Sequence, residues 1–482
     1  MPSESVSEVC EIKGCPGPAP SIHRLPPEVL SGIFIQCLPK HCLPKPHSLE
    51  APLFLCQICS FLRSVAVSTP QLWAAISMIR NYERDGHREM LDLWIQRSGS
   101  HPLSFSLMYR GEESDIDQLV DILVPHAWRW KDVLVAFPTD SVSHAFREAI
   151  EVGTCHLRAL TVESIHCLRS QYRGRQSQMP LEISLAHQLT EMSINVELEL
   201  NFGTSVLNSV KRLSFYDPEA HVGFNYVLYC LEHCPAVENL TVKVSCNHLE
   251  LPQTLNIRTF PSLRHLDVSS ITGRPHQFFG TLCLPNLHTL TCHWQIDSYH
   301  IFHNSHADCI VKFLQRSQAS LRNLSLTGAR IDHIHLMTIL RHTPQLKAFI
   351  CDYSGGITID VVSIALTLTP SNQLCLGLEN VTMLGYGDES NSSPLRKMIS
   401  SRWNIPKSGL RTGLGLGDRH HLKMVNIEDS RLTRILREPS MEKCVNDGLD
   451  IHFLPESGRI RDHWDALDGG DQYARQRTFI DA

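Results

Sequence analysis

Cysteine and histidine gather in two places along the chain, and both invite a metal-site reading. Cys37-x4-Cys42 followed by Cys56-x2-Cys59, with His41 and His47 nearby, presents the thiolate and imidazole ligands that zinc takes. Against it, Cys37, Cys56 and Cys59 fall on helical periods whose apolar face needs them inward, so the cluster reads as core packing. His300, His303, His306 and Cys309 are spaced by three. On a helix each such step drifts by about 60°, so four ligands would spread around the cylinder and not converge. A loop leading into a helix at Asp308 accounts for them better, and no metal is expected.

Other chemistry has as little to stand on. The sequence has no Gly-x4-Gly-Lys-Ser/Thr loop, no Gly-x-Ser-x-Gly elbow and no His-Glu-x-x-His pair. Gly413-Leu414-Gly415-Leu416-Gly417 lacks the last glycine spacing of a dinucleotide loop, and Arg169, Arg173 and Arg175 read as a basic surface loop. No cofactor and no catalytic role are expected; a cysteine or zinc enzyme is the least favoured class. Seventeen cysteines leave at least one unpaired, and several, such as Cys230 and Cys351, sit inside apolar periodic segments. Reduced thiols acting as small hydrophobes are the simplest account.

Composition narrows the partners. Lys+Arg 44 against Asp+Glu 50 gives a net charge of −6 with no long cationic run, which argues against nucleic acid. No stretch reaches the roughly 18 apolar residues of a membrane span, and the first residues lack a signal peptide's basic and apolar regions. A cytoplasmic or nuclear protein without membrane contact is expected. With 42% hydrophobic residues in 482, the chain can bury a large core.

The elements that would position any binding residues begin near Ile22, after a leader over residues 1–20 that shows no hydrophobic period. In Leu25-Pro26-Pro27-Glu28-Val29-Leu30 the prolines suit a first helical turn and Glu28 suits its positive end. Val29, Leu30, Ile33, Phe34 and Cys37 then share a face. Four prolines between Pro39 and Pro52 make a loop. Leu55, Ile58, Cys59, Leu62, Val65 and Ala66 mark a second helix, and Thr69 with Pro70 starts a third that brings Leu72, Trp73 and Ile76 to one side. Three short helices over residues 21–80 bury too little surface to stand securely alone, so they need a neighbour or a partner.

From about Leu103 onward a short alternating segment, a polar turn and a helical period recur. Segments such as Leu263–Val268, Leu287–Cys292, Leu321–Leu326 and Leu346–Cys351 start 24, 34 and 25 residues apart, near the leucine-rich-repeat range. Pro235, Pro261, Pro285 and Pro344 each stand two residues before such a segment, where proline stops a helix and lets an extended run begin. The clearest helices are 224–233, 308–316, 334–342 and 358–368. The fold class predicted is α/β: a small helical module at 21–80, then an irregular solenoid at 81–455 with a parallel sheet and helices on the convex side, a cap near 420–455, and a polar tail at 456–482.

The N-terminal residues also carry a resemblance. Leu25-Pro26-Pro27-Glu28-Val29-Leu30-Ser31-Gly32-Ile33-Phe34, Cys59-Ser60-Phe61-Leu62-Arg63-Ser64-Val65-Ala66 and Ser68-Thr69-Pro70-Gln71-Leu72-Trp73 occur in the order found in the fungal (mushroom-type) F-box-like proteins. The stretches Trp94-Ile95-Gln96-Arg97-Ser98-Gly99 and Trp128-Arg129-Trp130-Lys131-Asp132-Val133 resemble segments C-terminal to the box in that family, whose pattern has tryptophan where Leu62 stands. The resemblance implies a substrate-recognition adaptor of a Skp–cullin–F-box ubiquitin ligase. It would bind the Skp adaptor, and through it the cullin, by Leu25, Pro26, Pro27, Glu28, Ile33 and Phe34. A target protein, unidentified from sequence, would lie on the strand residues between the inward leucines: Asn239, Thr241, His265, Asp267, Thr289, Thr291, Asn323 and Ser325. The alternative is a repeat scaffold outside any ligase, its helical N-terminus serving only as a cap.

Overall fold

A computed structural model describes residues 21–80, 86–109, 113–137, 142–164, 180–195, 198–217, 224–244, 256–269, 275–294, 305–328, 331–352, 359–384, 393–403, 422–427, 435 and 438–453. The leader at 1–20, the tail at 456–482, Arg169 to Arg175, His300, His303 and the glycines at 413–417 lie outside these.

The architecture is mixed α/β, a solenoid-like array around one parallel sheet of fourteen strands. In order across the sheet these are Ala75–Arg80, Leu103–Tyr109, Trp130–Phe137, Ala159–Ser164, Glu191–Asn195, Arg212–Asp217, Asn239–Val244, His265–Ser269, Thr289–His293, Asn323–Thr327, Ala348–Asp352, Asn380–Leu384, Met424–Ile427 and Asp450–Phe453. Sheet order follows chain order throughout. Every connection must therefore cross over the sheet before the next strand is laid down.

Alternation along the strands decides which face is core. Leu213, Leu240, Leu266, Leu290, Leu324 and Phe349 stand in register, as do Phe215, Val242, Val268, Cys292, Leu326 and Cys351, and all are buried. Helices such as Phe224–His233, Ser305–Ser317, His333–Arg341 and Ile359–Leu366 cover this face with their own buried stripes. Other crossovers are more extended: Leu181–Glu182 pairs with Leu200–Asn201, and Arg258–Thr259 with Leu282–Cys283. The repeat is irregular because its return path alternates between helix and strand.

A turn precedes many of the strands. The leading apolar residue of the sequence repeat donates its amide three residues back, as Val237 does to Cys234, Leu263 to Phe260, Leu287 to Leu284 and Leu346 to Thr343. That residue plugs the core from the turn, and the strand begins two residues later.

The N-terminal helices Pro27–Gln36 and Ser60–Val67, with the turn Leu55–Ile58 before the second, pack on the first edge of the sheet. The second helix is broken at Cys59, which is extended at φ −160° and uses its sulfur to accept from the Leu62 amide at 3.5 Å. The third helical segment is only the 3-10 turn Pro70–Trp73. Ile76 belongs to the next strand, because its buried side chain pairs in register with Phe105 of the sheet.

The join is dense. Trp73 meets Trp94 edge-on at 4.8 Å, Arg97 lies 4.3 Å over the Trp73 ring, and the two indoles donate to Ala66 O and Ala75 O at 2.9 Å each. The proline-rich loop forms no helix but supplies Pro44 O, which accepts from the Ser77 amide of the edge strand at 2.8 Å. An otherwise bare strand edge is thereby partly satisfied. The neighbour that sixty residues of helix require is the sheet itself.

Candidate functional site

Two surfaces carry the residues singled out from sequence. On the first helix, Pro26 holds the extended conformation before the helix and Pro27 takes its first turn, with Glu28 beside the amide end. Leu30 and Phe34 point inward, Phe34 being 3% exposed. The other face is open: Leu25, Val29 and Ile33 are exposed, and Ile33 is 44% exposed. Val29 and Ile33 are one helical turn apart, so they form a stripe with Leu25 at its head. Phe54 and Ile58, before the second helix, are exposed to 47% and 52%.

Five of the six residues assigned to an adaptor contact, namely Leu25, Pro26, Pro27, Glu28 and Ile33, are thus on the surface. Phe34 is a correction. It follows Leu30 by four residues and shares its inward stripe, so it packs in the core and presents no surface. Val29 is the apolar residue that takes its place, and a count of threes and fours from Ile33 would have found it.

Cys37 is a second correction. The helix ends at Gln36, so Cys37 is the exposed capping residue, its thiol donating to Ile33 O at 3.4 Å. Cys56 and Cys59 are half-buried, and His23 Nε2 lies 3.8 Å from the Cys59 sulfur. Among the described residues no three His, Cys, Asp or Glu side chains stand where they could share one ion. Burial raises the thiols of Cys234 and Cys309 to about 12 and that of Cys375 to about 11. Such thiols stay protonated and are poor nucleophiles.

The open face of the sheet is the second surface. Asn239, His265, Thr289 and Asn323 align in one row across four strands, and Thr241, Asp267, Thr291 and Ser325 align in the next. Seven of these eight are half-buried. Ser325, at 1% exposure, is a correction: its short side chain lies between Thr291 and Ile350 and is sealed there. The second row continues in both directions with Ser214, Ser193, Thr161, Ser106 and Ser77, and with Thr382 and Asn426, interrupted by Leu134 between Thr161 and Ser106 and by Ile350 before Thr382. Small hydroxyls dominate it.

Neighbours bridge along the rows. Asn323 Nδ2 donates to Thr289 Oγ1 at 3.2 Å and Asn426 Nδ2 to Thr382 Oγ1 at 3.1 Å. Asp267 has no such help: its Oδ1 is sealed from solvent without a hydrogen-bond partner among the described residues, and loss of hydration pushes the carboxyl up to about 7.

One group near it has the outline of a catalytic constellation. His293 Nδ1 lies 2.6 Å from Thr327 Oγ1; burial lowers the imidazole pKa, and the Asp352 charge acts the other way. Thr327 is 2% exposed, however, and no substrate carbonyl can reach a hydroxyl so enclosed. The pair ties two strand ends together. Ser269, His293 and Thr327 extend the outward rows by one more position, which continuing the two-residue period past Asp267 would have revealed.

No helix among the described residues is long and apolar enough to cross a membrane. No protein-family model matches the chain, and no curated protein does. Among solved structures, a crystal structure of a protein from Bacteroides fragilis, determined as a structural-genomics target, matches with a TM-score of 0.29 and 13% identity. The match covers 80% of this chain and 75% of that one.

Proposed function

We propose that the chain is a non-catalytic adaptor: an F-box-like N-terminal module that binds a Skp adaptor, joined to a leucine-rich-repeat-like sheet that binds a target protein. By holding a target near the ubiquitin-charged enzyme of a Skp–cullin ligase, such a subunit raises the effective concentration of the acceptor lysine and performs no bond chemistry itself. The observation that carries this reading is the exposed stripe of Leu25, Val29 and Ile33. These residues lie in the segment that resembles the box, and they stay uncovered although the module already has the sheet as its neighbour. Exposed apolar stripes of this kind mark helix-docking surfaces.

Leu62, where the family pattern has tryptophan, is 3% exposed. Its substitution alters the module's interior and leaves the outward stripe in place. The test is co-purification of the full chain with a Skp adaptor, compared with the double variant Leu25→Asp, Ile33→Asp.

A second reading, a repeat scaffold outside any ligase, is favoured by the tryptophan-lined join and by the Pro44 to Ser77 hydrogen bond. On that reading the helices only cap the first strand. Retention of all cellular partners after the double substitution would favour it.

A further inference from the structure

The sheet's open face carries an uneven charge. In the three outward rows that alternate with the buried ones, the acids are Asp132, Glu163, Glu191, Asp267, Asp352 and Asp450, and the bases are Arg212 and Lys243. Six acids stand against two bases, and both bases are engaged: Arg212 pairs with Glu191, and the Lys243 ammonium sits 4.9 Å over the Tyr216 ring. Glu191 is therefore neutralised and Asp132 has Lys131 at 3.5 Å. Asp267, at the eighth of the fourteen strands, has no cation beside it among the described residues.

Its surroundings are those of a receptor for a donor. Thr241 and Thr291 flank it in register on the two neighbouring strands, about 4.8 Å to either side. Ser269 Oγ, two residues along the same strand and so on the same face, is also buried without a partner. A carboxylate buried among hydroxyls and left unpaired costs stability. The cost is recovered if a ligand brings a cation with its own N–H donors.

We propose that Asp267 anchors one lysine or arginine side chain of an extended, basic segment of the partner, laid across the strands along the hydroxyl row. This rests on reading the open face as the target-binding surface. An ammonium or guanidinium fits because it is all donor: it pairs with the half-buried carboxylate from the open side and can share its remaining N–H groups with Thr241 and Thr291, which are likewise half-buried. An acidic segment would meet the net negative face and an unhydrated carboxyl with nothing to offer it.

The test uses the full chain and four pools of fluorescein-labelled dodecapeptides, random in Gly, Ala and Ser except for one central residue fixed as Arg, Lys, Gln or Glu. Fluorescence anisotropy at low salt should rank the Arg and Lys pools about tenfold tighter than the Gln pool, with the Glu pool weakest. Asp267→Asn should erase the cation preference, while Asp132→Asn keeps it. Thr291→Lys, which places a cation of the chain's own beside Asp267, should erase it as well, and thermal melts of each variant report folding. Equal binding of the four pools, no binding by any, preference for Glu, or a cation preference that survives both Asp267→Asn and Thr291→Lys overturns the proposal. Skp association would use the N-terminal helices, away from Asp267 at mid-sheet, and is measured separately, so either reading can fail while the other stands.

Discussion

At the scale of single residues, charged side chains are used as staples between repeats. Arg402, 2% exposed, donates from Nε to Leu366 O at 2.7 Å, from one terminal nitrogen to Cys375 O at 2.8 Å and from the other to Leu374 O at 2.9 Å. It thus satisfies carbonyls at the end of the preceding helix and in the turn beyond it. Desolvation lowers its pKa to about 10, which still leaves it cationic at neutral pH. Arg129 does the same for the helix His87–Ser98, through Ser98 Oγ, His101 O and Ile95 O. Arg402→Met removes all the donors at once and should cost about 3 kcal/mol, read as a lowered denaturant midpoint at unchanged slope. A loss within about 0.5 kcal/mol would show that the turn relaxes onto solvent.

His335 joins two helices, with Nδ1 2.7 Å from Asp332 and Nε2 3.1 Å from Asp308. Burial alone would lower its pKa, but the hydrogen bonds and charges of the two carboxylates outweigh it and the net shift is upward. A raised folded pKa stabilises fully below the unfolded value of about 6.5 and fades as pH climbs through the folded one. The wild type should therefore lose stability relative to His335→Gln as pH rises from about 6.5 through the raised folded value, by less than about 1 kcal/mol because both carboxylates are solvated. Thermal melts across that range check it, and a constant difference between the two proteins would contradict it.

At the scale of elements, the strand ends are fixed by backbone geometry that a hydrophobic pattern does not encode. Gly328 closes the strand Asn323–Thr327 at φ +69°, and a Cβ there would stand 1.8 Å from Trp294 O. Gly328→Ala must move one strand end or the other, and should lower the melting temperature by the equivalent of about 2 kcal/mol or more. Unchanged melting would mean that this junction is loose. The same distinction between pattern and backbone explains what the sequence revealed. The repeat of leucines located strands such as those in Leu263–Val268, Leu287–Cys292, Leu321–Leu326 and Leu346–Cys351, each through a buried residue, but these expected segments begin two residues early. Their first apolar side chain, such as Leu263 or Leu287, belongs to the turn and serves the same core. The strand Ala75–Arg80 was hidden because Leu72, Trp73 and Ile76 also satisfy a helical spacing. The helix Ser393–Trp403 was missed where Ser, Pro and Arg weaken the period around Leu395, Met398 and Ile399. For the candidate surfaces, the two-residue period placed Asp267 on the open face, whereas the helical spacing set Ile33 and Phe34 on one broad face that only packing divides into an exposed and a buried side, and Ser325 is sealed by its neighbours in the row.

At the scale of the whole molecule, one end of a fourteen-stranded sheet is closed by helices that leave an apolar stripe outward, while the sheet offers a long polar face. The two surfaces are built on different elements, so a partner at one need not disturb the other, as an adaptor requires. The direct measurement is co-purification of the full chain with a Skp adaptor over a sizing column. A stable complex is expected with the wild type and at least about tenfold weaker association for Leu25→Asp, Ile33→Asp, with unchanged thermal melting. Absence of a complex with the wild type, or one that the double substitution leaves untouched, would contradict it.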